Sequence, residues 1–416
     1  MRISKKNLIE YVISLFLILY GTTATLIRFV LPSAVLLQGF PTLILGLSLL
    51  ICLKKRKTSK DSFLIIAMMI VYLVHNQYVE DFSPRMLFPF LIMLFLLMYS
   101  YYSIEWAKSV IRISEWIYLF YGMCTILFYF TPDFYNNVIV NLFPNDKARL
   151  IRVYSTGSMP GLTEHYSTNA MFLSVGLCII IASYFAYRRK NDLFKLLLMI
   201  IALLLTGKRG HVIFILAAFF AVYYMVTADK KNRFVKWIGM IITILCIGAV
   251  LVNVFPPLAQ FIVRFQETAE SGDITLSRII FWERAIDLFK ENPIFGIGWC
   301  NFMLVQQAAG YTAHVHNVYL QLLCETGIVG LIIYTWWMVS SLIKTGKTLK
   351  FCILNNIDFD GSSKFFLYFS FGFQIFFLLY SLTGNPLYDE EMYIPYFICN
   401  AVGLYYFRKT KLEDCT

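Results

Sequence analysis

Charged residues are scarce in this chain. Only 15% of its 416 residues are charged, 59% are hydrophobic, and the mean hydropathy is +0.66. A soluble fold of this length needs more polar surface than that. Apolar runs of roughly 15–20 residues recur along the whole chain, rather than one leading run before a polar domain, and no cleavable signal peptide is visible. We therefore predict an all-α, polytopic integral membrane protein, with residues 1–416 forming a single transmembrane domain.

Paired cysteines and clustered metal ligands are also lacking. The nine cysteines are scattered singly, most of them within apolar runs, and no CxxC motif brings two together. This pattern supports neither a disulfide framework nor a zinc site. The formal net charge of +11 is distributed in short clusters between apolar runs rather than along one face. We interpret these clusters as topology determinants and not as a nucleic-acid surface.

The apolar runs predict about twelve transmembrane helices. The predicted spans are Leu8–Ile27, Ala34–Leu53, Phe63–Val79, Met86–Tyr102, Ile113–Phe130, Ala170–Tyr187, Leu193–Leu205, Val212–Val226, Trp237–Phe255, Ile328–Leu342, Phe365–Leu382 and Tyr393–Phe407. The run Leu193–Leu205 is short for a straight span, so a re-entrant or broken helix is an alternative there.

The basic clusters predict the orientation of the chain. They all fall on one side if the spans alternate: 5–6, 54–57, 188–190, 230–236, 344–350 and 408–411. The positive-inside rule makes that side cytoplasmic, places both termini in the cytoplasm of a bacterial cell, and leaves residues 131–169 and 256–327 outside. Loops of this length are usually functional or disordered. Because the second loop contains helix-like sequence, we expect the working face to be extracytoplasmic.

The loop 256–327 contains a predicted amphipathic helix over residues 279–289. Helical spacing brings together Trp282, Ala285, Ile286 and Phe289, and Asn292-Pro293 ends the helix. Such a helix either rests at the membrane surface or covers the end of the helical bundle.

A short glycine motif, Gly296-Ile-Gly298, follows that helix. A nucleotide-binding loop would need a preceding strand and a third glycine, and both are missing. We therefore predict a tight turn here.

Histidine is also scarce, with five in the chain, and two of them, His314 and His316, precede the tenth span. Helical spacing places His316 on one face with Tyr319 and Leu320, at the start of a helix near the water boundary. A His-x-His pair can bind metal, but no further histidine or suitably spaced carboxylate lies nearby, so we predict no metal. A histidine near its ordinary pKa suits a general base. The alternative is a histidine satisfied at a helix terminus.

Several cations fall on the predicted outer face. They are Arg152, Lys208, Arg209, Arg264 and Arg278. Lys208 and Arg209 occupy a very short turn between two spans, close to the membrane surface. Arginine in such a position suits bidentate contacts with phosphate. The alternatives are ordinary solvated loop charge and contacts with lipid headgroups.

In order along the chain, four motifs resemble the signature of the O-antigen ligase and polymerase (Wzy) superfamily. They are Thr206-Gly-Lys-Arg-Gly210, Ser277-Arg278 through Trp282 and Ala285, Pro293-Ile-Phe-Gly296-Ile-Gly298, and His316-Asn317-Val-Tyr319-Leu320 through Glu325-Thr-Gly327. The similar domain would cover residues 193–342. The earlier Arg152-Val-Tyr-Ser-Thr-Gly157 looks like a further segment of these proteins. Lys208 departs from the pattern, which more often has serine before the arginine.

The resemblance implies a membrane glycosyltransferase of GT-C-like helical architecture. It implies a substrate linked to undecaprenyl diphosphate, and neither a nucleotide sugar, a metal nor another cofactor. By the same resemblance the catalytic residues would be His316, Arg209 and Arg278. We add as substrate-binding candidates Arg152, Arg264, Lys208, Asn317, Tyr319 and Glu164. Carboxylates are the runner-up for the general base, either Glu164 or the cluster Asp389-Glu390-Glu391.

The first functional hypothesis is a polymerase of lipid-linked repeat units for a capsular, exo- or O-antigen polysaccharide. It would work beside other assembly proteins such as a flippase and a chain-length regulator. A ligase that hands finished glycan to a lipid or protein acceptor is the near alternative. A flippase or transporter is a third, but such proteins usually show internal repeats, and the two halves of this chain show none.

Overall fold

The computed structural model describes residues 5–22, 63, 65–70, 87–251, 263, 278–308, 310 and 314–413. Within these residues the chain is helical and contains no strand. Helices satisfy their backbone hydrogen-bonding groups internally, which is what a bilayer demands of a segment that crosses it. The predicted all-α membrane class is therefore confirmed.

The main helices are labelled here in chain order. They are α1 Lys5–Thr22, α2 Leu87–Tyr99, α3 Glu105–Phe130, α4 Lys147–Ser155, α5 Tyr166–Tyr187, α6 Lys190–Leu205, α7 Arg209–Val226, α8 Arg233–Leu251, α9 Arg278–Glu291, α10 Asn301–Ala308, α11 Val318–Leu354, α12 Ser363–Tyr380 and α13 Glu390–Glu413. Short helical turns between Pro132 and Asp146 connect α3 to α4.

Five of the described helices are long and apolar enough to cross a membrane: α3, α5, α7, α11 and α12. The apolar parts of α1 and α2 are shorter. The predicted span Ala34–Leu53 and most of Phe63–Val79 lie outside the described residues. At the predicted run Leu193–Leu205, α6 is a continuous helix of 16 residues, so the broken-helix alternative is wrong.

Short connections set the direction of the helices. Since α5, α6 and α7 follow one another with turns of only a few residues, neighbours run antiparallel. The same holds for α11, α12 and α13. The starts of α5, α7, α11 and α13 therefore share one end of the bundle with the ends of α6 and α12, and we call this the site end. The other end, which carries the basic turns, is the basic end.

Helix α5 forms the centre of the bundle. It packs against α3, α6, α7 and α12, and most of its residues are buried. Helix α13 packs against α11 and α12 and completes the core. The 22 residues of α5 separate the two ends by roughly 33 Å at the usual helical rise, about the thickness of a bilayer core.

Helix α9 covers the site end of the bundle. It packs against α11, with Ala285 and Leu288 buried among the neighbouring side chains. Trp282 and Phe289 of the predicted apolar face pack against this cluster, whereas Ile286 of the same face is 37% exposed. The exposed side chains of Ile279, Ile280 and Ile286 on α9 can contact the membrane surface.

Candidate active site

Four of the predicted basic residues converge at the site end. Lys208 occupies the N-cap position of α7 and Arg209 is its first residue. Both follow Gly207, whose φ of 70° allows the tight turn. Arg278 begins α9, and His316 lies two residues before α11. The charge of Arg209 acts on Arg278, and the charges of Arg278 and Lys208 both act on His316. We call Lys208, Arg209, Arg278 and His316 the basic cluster.

His316 is held in an unusual backbone conformation. Its φ of 55° lies in the left-handed region, which costs a non-glycine residue about 1–2 kcal/mol. Neighbours on both sides hold it there. Trp282 Nε1 of α9 donates a hydrogen bond to the carbonyl oxygen of Val315 at 3.0 Å. On the other side, Asn317 Oδ1 accepts from two backbone amides of the first turn of α11.

The imidazole of His316 is neutral at physiological pH. Burial and, after it, electrostatic interactions with Arg278, His314 and Lys208 lower the pKa of His316 to about 4. The pKa of His316 thus lies below the ordinary value for histidine, because burial and, after it, the neighbouring cations disfavour a further positive charge. A neutral imidazole can accept a proton. An anion bound among these cations would raise its pKa and make it a better base.

The pKa of Lys208 is lowered in the same way as that of His316. Burial and the charge of Arg278 lower the pKa of Lys208 to about 8, while Asp389 acts in the opposite direction. Burial, followed by the charge of Arg209, also lowers the pKa of Arg278. Cations that depress one another's pKa form a site poised for a multivalent anion, since such a ligand removes their mutual repulsion.

The start of α5 adds further groups that the sequence motifs did not reveal. Lys208 Nζ lies 4.5 Å from the ring centre of Tyr166. His165 caps α5 through Nδ1, which accepts from Ser167 N at 3.1 Å. Burial and the charges of Lys208 and Arg149 lower the pKa of His165 to about 4. Arg149 thus belongs to the surroundings of the basic cluster, although the sequence stretch around it suggested Arg152 instead.

Helix N-termini reinforce the positive potential at this end. Helices α5, α7 and α11 begin at Tyr166, Arg209 and Val318. The N-terminus of a helix carries a partial positive charge and unpaired amide groups, both of which favour anions. The helices and the side chains therefore favour the same class of ligand.

The turn between α12 and α13 closes the site on its other side. Arg278 Nη1 donates a hydrogen bond to the carbonyl oxygen of Thr383 at 3.2 Å. Val318 N donates to the carbonyl oxygen of Ser381 at 2.8 Å, which joins the start of α11 to the same turn. Asp389, at the end of this connection, is the carboxylate whose charge acts on Lys208.

A buried carboxylate fixes this turn to α11. Glu325 is completely buried, and its Oε2 accepts hydrogen bonds from Tyr388 Oη at 2.6 Å and from Cys300 N at 2.9 Å. Its Oε1 accepts from Gln321 Nε2 at 3.1 Å and from Phe302 N at 3.3 Å. Because Tyr388 directly precedes Asp389, this network sets the position of that carboxylate near Lys208.

Backbone hydrogen bonds join the segment 293–298 to the segment 324–328 of α11. Ile297 N and Gly298 N donate to carbonyl oxygens of residues 324 and 325, and Ile328 N donates to the carbonyl oxygen of Pro293. A Cβ on Gly327 would lie 2.2 Å from Ile294 O, and φ at Gly327 is 62°. The predicted tight turn at Gly296-Ile-Gly298 is confirmed, since both glycines have positive φ.

Other predicted site residues take different positions. Arg152 is exposed on α4, and no described contact joins it to the basic cluster. Asn317 Oδ1 is engaged as the cap of α11, and Tyr319 Oη donates to the carbonyl oxygen of Leu378 at 3.0 Å. Glu164 offers its backbone carbonyl to Arg149 Nη2 at 2.9 Å. Arg264 lies outside the described residues.

No group of three or more His, Cys, Asp or Glu side chains that could hold a metal ion occurs among the residues that the structure describes. The cluster that does form is cationic, and cations repel metal ions. Its chemistry suits the binding of a diphosphate and the transfer of a proton to an uncharged imidazole.

Comparison with known families gives one match. The family model described as O-antigen ligase matches residues 194–335. This segment contains all four residues of the basic cluster, and the match confirms the predicted resemblance to the O-antigen ligase and polymerase superfamily. No curated protein matches the chain.

Proposed function

From the match to the O-antigen ligase family and the convergence of the basic cluster, we propose that this membrane protein polymerises oligosaccharide repeat units linked to undecaprenyl diphosphate. The observation that carries the proposal is the joint position of three cations and one neutral histidine at a single end of the bundle. The product would be a capsular, exo- or O-antigen polysaccharide. The reaction needs neither a nucleotide sugar nor a metal.

In the proposed reaction the acceptor hydroxyl oxygen attacks the anomeric carbon of the donor sugar. The bond between that carbon and the diphosphate oxygen breaks, and undecaprenyl diphosphate leaves with the electron pair. Arg278, Arg209 and Lys208 stabilise the charge that develops on the leaving diphosphate, which is an electrostatic contribution of the kind that dominates many enzymes. His316 accepts the proton of the acceptor hydroxyl.

His316 is the proposed base because it is neutral and lies beside Arg278, where the leaving group would bind. Asp389 is the alternative, since its charge reaches Lys208 on the other side of the cluster. Glu164 is a further alternative, and its backbone carbonyl accepts a hydrogen bond from Arg149 near the cluster. General-base assistance of this type contributes about 10²–10⁴ in rate.

A ligase that transfers the glycan to a lipid or protein acceptor is the second candidate. It is favoured by the description of the matching family, O-antigen ligase. Both activities use the same donor and leaving group, so the basic cluster serves either. They differ in the acceptor: a polymerase extends another lipid-linked unit, whereas a ligase releases the glycan from the lipid pool.

Loss of the gene product distinguishes these activities. Without a polymerase, lipid-linked single units persist and are exported while long surface glycan disappears. Without a ligase, long glycan still forms but stays on its lipid carrier. Without a flippase, single units accumulate on the inner face. Unchanged chain length in the lipid-linked pool would count against polymerisation.

The proposed topology has about twelve spans in a GT-C-like arrangement, in the cytoplasmic membrane of a bacterium, with both termini cytoplasmic. Cysteines introduced at Asp273 and Tyr311, which lie outside the described residues, should react with an impermeant label in whole cells. Cysteines introduced at Lys55 and Lys347 should react only after permeabilisation. The reverse pattern would place the basic cluster on the wrong side for this reaction.

A further inference from the structure

A second polar site lies at the basic end of the bundle, far from the basic cluster. A cavity of about 390 Å³ opens there between α3, α5, α6 and α12. Three cations line it: Arg112, Arg189 and Lys195. Because α5 runs from the basic cluster to this cavity, the two sites are separated by the length of a membrane-spanning helix.

Lys195 is already neutralised by carboxylates. Its Nζ lies 2.5 Å from Glu115 Oε1 and 3.7 Å from Asp192 Oδ1. Asp192 in turn accepts a hydrogen bond from Ser183 Oγ at 2.8 Å. This polar network connects α6 to α3 and α5 at one side of the cavity.

The other two lining cations, Arg112 and Arg189, can bind an anionic ligand. Tyr187 is close to both, since the charges of the two arginines act on its hydroxyl and its ring centre lies 4.6 Å from the guanidinium of Arg189. Arg112 also lies 5.6 Å from the ring centre of Phe366. Both arginines are exposed, and no ion pair among the described residues engages either. Stacking on an aromatic ring leaves the edge of a guanidinium free for bidentate contact with phosphate.

The outer wall of the cavity adjoins a surface suited to hydrocarbon chains. Exposed apolar side chains follow one face of α3 and one face of α6, and these helices pack against each other. On α3 they are Ile113, Trp116 and Phe120, and on α6 they are Leu193, Leu197 and Ile200. Trp116, 63% exposed, belongs both to this surface and to the cavity lining. Tryptophan at such a position is typical of the boundary between hydrocarbon and headgroups.

We propose that this cavity binds the phosphate of an anionic phospholipid from the leaflet at the basic end. Arg112 and Arg189 hold the phosphate, Trp116 lies at the headgroup boundary, and the acyl chains follow the exposed faces of α3 and α6. A phosphate alone would satisfy the two guanidiniums, but only a lipid also covers the adjoining apolar surface. The bound lipid bridges α3, through Arg112, and the turn between α5 and α6, through Arg189.

Native mass spectrometry of the full chain, released from bilayers of equal parts phosphatidylglycerol and phosphatidylcholine, tests the proposal. The wild type should retain phosphatidylglycerol selectively. Arg112→Ala/Arg189→Ala should weaken that binding about tenfold or more. The matched control is Lys347→Ala/Lys350→Ala, two exposed cations at the same end but outside the cavity, which should behave as the wild type. Equal retention by the arginine variant, or no preference of the wild type for the anionic lipid, would overturn the proposal.

Two further measurements distinguish a lipid in this cavity from free phosphate and from a lipid bound at another surface. Inorganic phosphate should not displace the bound lipid, and complete displacement would identify a site for free phosphate instead. Brominated phosphatidylglycerol should quench tryptophan fluorescence more than brominated phosphatidylcholine, and Trp116→Phe should abolish the difference. A difference that survives this substitution would place the lipid elsewhere and contradict the assignment. Both readouts use folded protein, so they remain decisive if the arginine variant is unstable.

Discussion

His316 should give the transferase a lower pH limit far below the ordinary pKa of histidine. Its pKa is lowered to about 4, first by burial and then by the charges of Arg278 and Lys208. A lowered pKa means that the neutral, proton-accepting form persists as the pH falls, until the pH reaches about 4. Since kcat/KM reports ionisations of the free enzyme, it should fall about tenfold per pH unit only below that point.

Replacing Arg278 by glutamine should move this limit upward. The substitution removes the largest of the charge effects but leaves burial, the main cause, in place. The limit should therefore lie above 4 but below the ordinary value of 6.5. In the wild type, the acid limit of kcat should also lie above that of kcat/KM, because the bound diphosphate offsets the charges of the neighbouring cations.

The assay is the initial rate of glycan extension by purified protein in liposomes between about pH 3 and pH 8, with return to neutral pH to detect irreversible loss. His165→Asn is the matched control. His165 has a pKa lowered to about 4 by burial, Lys208 and Arg149, and asparagine preserves the helix cap. Its acid limit should equal that of the wild type. A wild-type limit near 6.5, or an Arg278→Gln limit equal to that of the wild type, would refute the reasoning.

Three further predictions concern the framework. Asn317→Ala removes a cap with two accepted hydrogen bonds and should lower the free energy of unfolding by about 1 kcal/mol, whereas Asn317→Asp should not. Gly327→Ala should abolish accumulation of folded protein, because its Cβ would lie 2.2 Å from Ile294 O; normal abundance in membranes would contradict this. Tyr388→Phe leaves the buried Glu325 without one donor and should cost about 1–3 kcal/mol by thermal denaturation in detergent; an unchanged midpoint would argue against the network.

Features that depend on local sequence were predicted well. Apolar runs gave the positions of α5, α6 and α7, because the length of an apolar stretch and its basic flanks are readable directly. The helix predicted over 279–289 from the helical spacing of its apolar residues is present as α9, and it ends at Glu291, just before Asn292-Pro293. The turn of Lys208 and Arg209 was recognisable because so few residues separate two spans.

Features that depend on packing were not readable. Arg149 acts on His165 because α4 folds back toward the start of α5, and Lys208 acts on His165 because the starts of α5 and α7 share one end of the bundle. Which side of α9 is buried, with Leu288 inside the cluster and Ile286 partly exposed, depends on packing against α11. The low pKa of His316 likewise arises from burial and from the charges of Arg278 and Lys208, which are distant in sequence.

Several assigned roles also depended on the fold. Asn317 and Tyr319 carried the motif signal, yet the structure engages both in holding α11. A motif marks that a residue type is required but does not distinguish contact with substrate from support of a neighbour. Glu325 illustrates the same point, since its four hydrogen bonds support the loops around the basic cluster.

The most direct test of the account is the rate of glycan extension by His316→Ala, with purified lipid-linked units as both donor and acceptor. The matched control is Lys290→Ala on α9, whose side chain is exposed and paired only with Asp287 among the described ion pairs. At normal abundance in the membrane, His316→Ala should be slower than the wild type by about 10²–10⁴, and Lys290→Ala should match the wild type. Full polymer production by His316→Ala would contradict its role as the base and direct attention to Asp389.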